Sequence, residues 1–417
     1  MLRRRFVLGC GCCALGALPA AGALAQLRPG PQGWGSPGSP VPQPPAPAAP
    51  AGPWSPPARF TRPDPGTDEG GLWALMDREE KKLRQSAFLI RDKALHDYVN
   101  DIVCRLAGDH CPDVRVYLVQ TPLFNASMAP NGMMQVWSGL LLRMTSEAQL
   151  AAVLGHEIGH YLQKHSIERL RDAKSRSAFG QFLGIFLARA GAVGGAAQLA
   201  LLAGMLAYSR DQEREADQIG IDLMARAGYA PIEASRVWAQ LLEELKAGKA
   251  ERAEYWNDSV LFATHPPAEE RQKVLAEAAA ARGPGGRTGE AEYRAAIAAH
   301  RAEFLSDELK RRSLGETRVL LERMQAAFPD DGELQYCLGE AYRLRAQAKD
   351  FDEALAAYRR AEAMKGAPPE LFRSMGLVLR HQGEDQKAQA AFARYLELKP
   401  DAPDGALIRT FVTRSDS

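Results

Sequence analysis

Cysteine is scarce in this chain, with 6 in 417 residues. Three of them, Cys10, Cys12 and Cys13, crowd the N-terminus, and the others, Cys104, Cys111 and Cys337, show no C-x-x-C spacing. A cysteine-ligated zinc module or a dithiol redox centre is thereby excluded from the body of the chain. An excess of one charge is lacking too: Lys+Arg number 52 against Asp+Glu 51, a formal net charge of +1. Beyond the first few positions no basic run is interleaved with aromatics, so no nucleic-acid partner is expected. Long apolar runs are almost missing as well. The longest in the body, Ala190 to Ala207, spans 18 residues, contains Gln198 and follows Arg189. With its many glycines, the stretch 179–208 reads as a helical hairpin, either buried or in peripheral contact with a membrane, rather than as a span.

What is present organises the chain into segments. Residues 1–25 have the form of an export signal: Arg3, Arg4 and Arg5, an apolar stretch from Phe6 to Ala23, and the small-residue site Ala23-Leu24-Ala25. The arginines also resemble a twin-arginine signal, and the export route stays open. Removal of this segment leaves Cys104, Cys111 and Cys337. In an oxidising compartment the first two could close a short loop; equally, all three could be buried thiols. Residues 26–70 form a tether, since 14 of the 27 prolines lie between Pro29 and Pro65. From Leu72 to Leu106 apolar residues recur at helical spacing. Val114, Val116 and Leu118 alternate, and Asn131-Gly132 marks a turn before Met133 to Trp137, so a small sheet follows. Ser146 and Gln149 have capping-box spacing ahead of an apolar helix from Leu150 to Leu162.

The glycines from Gly283 to Gly289 mark a linker, 283–297, between a domain at 71–282 and repeats at 298–417. From Glu370 the residues Met375, Gly376, Leu379, Ala388, Phe392 and Pro400 fit the 34-residue tetratricopeptide template. Leu338, Gly339, Tyr342, Ala354, Tyr358 and Ala361 form a second unit, and a degenerate one ends at Pro329. The expected fold is mainly α within an α+β plan: a helical domain with a small sheet, followed by a solenoid of helix pairs.

One constellation carries chemistry. His156-Glu157-Ile158-Gly159-His160 is an H-E-x-x-H segment on an expected helix. There the two histidines stand about 40° apart and one turn apart in height, so both imidazoles can reach one ion. Glu157 points about 100° further round, beside the ion, where it can act as a general base toward water. Downstream, Ser209-Arg210-Asp211-Gln212-Glu213 continues to Asp217. Glu213 and Asp217 share a helix face, so one can bind zinc while the other orients a ligand histidine.

Together these motifs resemble the HtpX and BepA family of gluzincin metallopeptidases, over about Leu72 to Leu275. The resemblance implies one Zn²⁺ per chain held by His156, His160 and Glu213, with Glu157 as base and Asp217 supporting a ligand. It also implies a small sheet whose edge lies along the active-site cleft, with Asn125-Ala126-Ser127 in its hairpin and Trp137 to Leu141 leading into the active-site helix. Thr264-His265-Pro266-Pro267, with Arg271, resembles the family's T-H-P segment. His265 is accordingly a catalytic-site candidate, as a reversible fourth ligand or an oxyanion donor. His165 is expected to pack or make a surface polar contact, and not to bind metal.

The implied activity is zinc-dependent endoproteolysis of misfolded or misassembled envelope proteins in the periplasm of a Gram-negative bacterium. The repeats would dock clients or the outer-membrane assembly machinery. The alternative is a chaperone or assembly adaptor acting mainly through its repeats, with latent proteolysis.

Overall fold

The computed structural model describes residues 54–175, 208–251 and 269–412. Helix α1, Asp68–Arg84, starts at Thr67, whose side chain accepts from the Gly70 amide. Helix α2, Lys93–Ala107, starts at Asp92 in the same way, and its apolar stripe of Leu95, Val99, Ile102, Val103 and Leu106 is buried. A 3₁₀ turn, Gly108–Asp113, follows. A disulfide joins Cys104 on α2 to Cys111 in that turn, and Cys337 is a buried free thiol. The two readings left open for the cysteines are thus decided in favour of the short loop.

The sheet holds β1 (Arg115–Val119), β2 (Ala126–Met128) and β3 (Met133–Trp137), in the order β1-β3-β2. Central β3 runs parallel to β1 and antiparallel to β2. Asn131-Gly132 makes the turn between β2 and β3. Gly132 sits at φ +86, and a Cβ there would lie 2.1 Å from the Asp113 carbonyl oxygen, so only glycine fits. The Trp137 amide donates to Asn125 O and the Ala129 amide to Met133 O. By the antiparallel alternation, Ala126 and Met128 turn their backbone groups away from β3, toward the sheet edge.

Past β3 come α3 (Ser138–Arg143), α4 (Glu147–Leu162) and α5 (His165–Ser175). Ser146 caps α4 by accepting from the Gln149 amide at 3.2 Å. The Gln149 side chain reaches the Thr145 amide instead of the cap residue's own, so only half of the expected capping box forms. Helices α6 (Arg210–Arg226) and α7 (Ile232–Glu251) pack on α4, and α8 (Glu269–Ala280) packs on both of them. Among the described residues no helix is long and apolar enough to cross a membrane, and the 179–208 stretch, Tyr208 apart, lies outside them.

The segment expected as a linker carries structure. Arg287 donates its amide to Gly228 O and accepts from the Ala230 amide, and helix α9, Glu290–Ile297, buries Tyr293 and Ile297. Beyond it lie α10 (Arg301–Lys310), α11 (Leu314–Ala327), α12 (Gly332–Arg345), α13 (Asp350–Glu362), α14 (Glu370–His381), α15 (Asp385–Leu398) and α16 (Gly405–Val412). One apolar core runs unbroken from Leu95 on α2 to Ala341 on α12, and a second gathers Ala354 to Ile408. Helices α12 and α13 pack as a pair, as do α14 and α15. At these crossings Gly339 lies against the Tyr358 ring and Gly376 against Phe392, where an added Cβ would approach to 2.4 Å and 2.5 Å. At the other end, residues 54–67, grouped with the tether by composition, lie against the body. Phe60 meets Tyr161 and His110 edge-on, and Arg59 pairs with Asp113.

Candidate metal centre

The geometry of the centre begins with small residues. Along α4, Gly155 faces Gly220 of α6, and Gly159 faces Ala216; a Cβ on either α4 glycine would stop 3.1 Å or 2.9 Å from a backbone oxygen of α6. With no side chains between them the two helices approach closely. The first turn of α6 is anchored by a complete capping box, Ser209 with Gln212, in which each side chain bonds the other's backbone amide. Glu213, in that turn, then reaches the face of α4 that carries both histidines.

The result is a buried cluster of ligand-type atoms. His156 Nε2 and His160 Nε2 stand 3.0 Å apart. Glu213 Oε2 is 3.6 Å from the first and Oε1 is 3.4 Å from the second. One ligand atom from each of His156, His160 and Glu213 falls within 4.8 Å of the others, as an ion shared by all three would require. Two imidazole nitrogens and one carboxylate oxygen are the donor set of a catalytic zinc site with a position left for water or substrate. The three are 7%, 1% and 6% exposed, so a charge placed among them is poorly screened by solvent.

The outer nitrogens of both histidines are engaged. His156 Nδ1 is 2.9 Å from Asp217 Oδ1, which favours Nδ1–H and leaves Nε2 to face the ion. Asp217 is held in turn by Arg271, whose Nε and Nη2 donate to its two oxygens at 2.7 and 2.6 Å. Burial alone would raise the Asp217 carboxyl, but Arg271 and His156 hold it below the ordinary value. Arg271 Nη1 is also 2.7 Å from Glu213 Oε2, and the guanidinium lies 3.9 Å over the Trp238 ring. On the other histidine, Nδ1 of His160 is 2.9 Å from Nδ1 of His165. Tyr208 stacks on the His160 ring with centroids 3.8 Å apart, and its hydroxyl lies 2.9 Å from Ser166 Oγ.

Glu157, 2% exposed, lines a cleft of about 430 Å³ together with His156, Phe124, Val153, Trp238 and Leu275. A second hollow, of about 270 Å³, lies on the His160 side between Phe60, Met128 and Tyr161. Strand β2 packs on α4, and its Met128 borders this second hollow.

Five of the six expected site residues, His156, Glu157, His160, Glu213 and Asp217, come together here. The sixth, His265, lies outside the described residues. His165 takes the first of its two expected roles and packs: it is 1% exposed, because the turn at Lys164, with φ +55, folds α5 back onto α4, and its spacing did not show that the residue it meets there is His160. Sequence reasoning gave no role to Arg271, Tyr208 or Glu215. Arg271 stood in the quoted T-H-P segment and Tyr208 directly before Ser209, but nothing in their spacing showed that their side chains converge on this point.

Residues 89–279 match peptidase family M48. The beta-barrel assembly-enhancing protease of Escherichia coli (strain K12) is 30% identical over 230 residues, covering 51% of this chain and 45% of that protein. The mitochondrial metalloendopeptidase OMA1 of Arabidopsis thaliana is 33% identical over 163 residues, 39% of this chain and 31% of that protein. The human mitochondrial metalloendopeptidase OMA1 is 33% identical over 173 residues, 38% of this chain and 31% of that one. The matched stretch thus spans less than half the length of each of these relatives.

Proposed function

Residues 89–279 are a domain of peptidase family M48, and from that premise we propose that this chain is a zinc metalloendopeptidase. The observation that carries the proposal is the buried convergence of His156, His160 and Glu213, with Glu157 lining the same cleft as His156. His156, His160 and Glu213 would hold the ion. When bound, zinc supplies Lewis acidity, polarising a carbonyl and lowering the pKa of a water toward about 7. The protein's own part is positioning and proton transfer. Glu157 takes the proton from the attacking water and hands it to the leaving amine nitrogen, and its burial keeps bulk water from competing for that proton. Asp217, fixed by Arg271, keeps His156 in its metal-binding orientation.

An extended peptide would pair with the outward backbone groups of Ala126 and Met128 on β2, and the hollows near His156 and His160 would take its side chains. Recognition through backbone groups predicts weak sequence preference.

The proposed substrates are misfolded or misassembled proteins of a Gram-negative envelope, cleaved in the periplasm. Supporting this are the signal-like residues 1–25, the disulfide Cys104–Cys111, which suits an oxidising compartment, and the similarity to a protease that enhances beta-barrel assembly. The helix pairs from α12 to α15, whose glycines seat the aromatic rings of their partners, support tetratricopeptide repeats that dock clients or assembly partners. The test is metal analysis of the purified protein beside casein cleavage. One equivalent of zinc, with cleavage lost to a chelator and restored by zinc, is expected; cleavage that survives complete metal removal would overturn the assignment.

A further inference from the structure

We propose that Glu215 and His165 form a relay that fixes the tautomer and orientation of His160, the counterpart on the second histidine of what Asp217 does for His156. The inference rests on the zinc-site reading above and deepens it.

The geometry sets the direction of each hydrogen bond. Nε2 of His160 faces Nε2 of His156 and the Glu213 carboxylate, so it is the ligand nitrogen, and a neutral imidazole then carries its proton on Nδ1. That nitrogen is 2.9 Å from His165 Nδ1, which must therefore accept. A His165 that accepts on Nδ1 carries its own proton on Nε2, and Nε2 lies 3.3 Å from Glu215 Oε2. Only one assignment satisfies the whole chain: carboxylate, then Nε2–H and Nδ1 of His165, then Nδ1–H and Nε2 of His160. The reversed tautomer of His165 would set two N–H groups against each other at the first contact.

Several features hold the relay in place. His165 opens α5 and is 1% exposed. The second oxygen of Glu215 accepts from the Gln163 side chain, which pins the carboxylate at the end of α4. Tyr208 covers the His160 ring face, so the ring is held from its edge and its face at once. His165 is not itself a ligand, since it meets the edge of His160 that points away from the shared point.

Competition between the full-length protein and a fluorescent chelator would measure zinc affinity in wild type, His165→Ala, His165→Asn and Glu215→Ala. Loss of a carboxylate or other partner behind a ligand histidine typically weakens metal binding by about 10 to 100-fold, and His165→Ala should fall in that range. His165→Asn, whose Oδ1 can replace the Nδ1 acceptor, should recover most of the loss, and Glu215→Ala should lie between wild type and His165→Ala. Long-range ¹H–¹⁵N spectra of the zinc-loaded wild type should show His160 protonated on Nδ1. The relay is overturned if His165→Ala binds zinc like wild type, if His165→Asn is as weak as His165→Ala, or if His160 carries its proton on Nε2. Glu215 is half exposed, so its variant tests the idea even if His165→Ala does not fold. A wild-type protein that binds no zinc would overturn the metal-site reading itself, whereas normal zinc binding by wild type and by all three variants would sink the relay alone.

Discussion

At the scale of single residues the centre divides into groups that would hold the ion, one that moves a proton and others that hold the holders. Glu157→Gln separates the second role from the first. The amide is nearly isosteric and cannot take a proton, so zinc content should equal wild type while casein cleavage falls by at least about 10² to 10⁴-fold. Retention of a tenth of the wild-type rate would exclude Glu157 as the base. Asp217 and Glu213 separate the supporting role from the ligand role. Asp217→Ala should weaken zinc retention by about 10 to 100-fold, partly because Arg271 then loses its bidentate partner inside a buried site, and Glu213→Ala should weaken it further. Equal zinc occupancy in both variants and wild type after dialysis against a mild chelator would refute both roles.

Among the elements, the crossing of α4 and α6 matters most, because Glu213 reaches the histidines only if the helices touch. Gly159→Ala would improve intrinsic helix propensity by roughly 1 kcal/mol. Against that, its Cβ would meet the Ala216 carbonyl oxygen at 2.9 Å, and a backbone atom within a helix cannot move aside as a side chain can. Overpacking of this kind costs about 1–3 kcal/mol, so the clash should win. The expected outcome is a lower melting temperature together with weaker zinc binding, and a variant with both unchanged would show that the crossing has slack.

The contact of α1 with the sheet carries a pH dependence. Burial pushes the Glu80 carboxyl up, but donors from Arg115, Tyr117 and Arg84 outweigh it and bring the group down from 4.5 to about 2. Because the folded value lies below the unfolded one, this contribution to stability is present above pH 4.5 and is lost as the pH falls toward 2. Glu80→Gln should therefore melt below wild type at neutral pH, with the gap closing as the pH falls through that window. A gap that stays constant across acid thermal melts would refute the argument.

For the molecule as a whole, the unbroken core from Leu95 to Ala341 determines where the chain can be cut. Truncation before Glu290 would strip Tyr293, Ile297, Phe304, Leu320 and Leu334 from that core, and should yield protein without a cooperative thermal transition. Truncation after Gly366 removes α14 to α16 and most of the second core, yet keeps α12 paired with α13. That shorter protein should fold, retain zinc and cleave casein, while losing turnover of envelope clients if the repeats dock them. Normal client turnover after the cut would remove the docking role from these three helices. Circular dichroism melts and parallel assays on the two clients would read both outcomes.

Much of this was legible in the one-dimensional pattern, for local reasons. The two histidines and Glu157 lie within one and a half turns of a single helix, so helical periodicity alone sets their directions. Asn131-Gly132 announces the β2–β3 turn, and the apolar spacing along α2 announces its buried face. Resemblance to a known family, rather than spacing, assigned Glu213 to the ion and Asp217 to the support of a ligand, and only the fold shows that this ligand is His156. Only the tertiary structure decided the remainder, which depends on atoms brought together from distant parts of the chain. Arg271 clamps Asp217 from 54 positions away, and Glu215 meets His165 from 50 away. The stretch read as a linker became part of the core because α9 turns Tyr293 inward, where its hydroxyl donates to Leu141 O. Side-chain spacing along a helix is set by backbone geometry that every residue shares, whereas which helix faces lie against each other follows from how the whole apolar surface is buried.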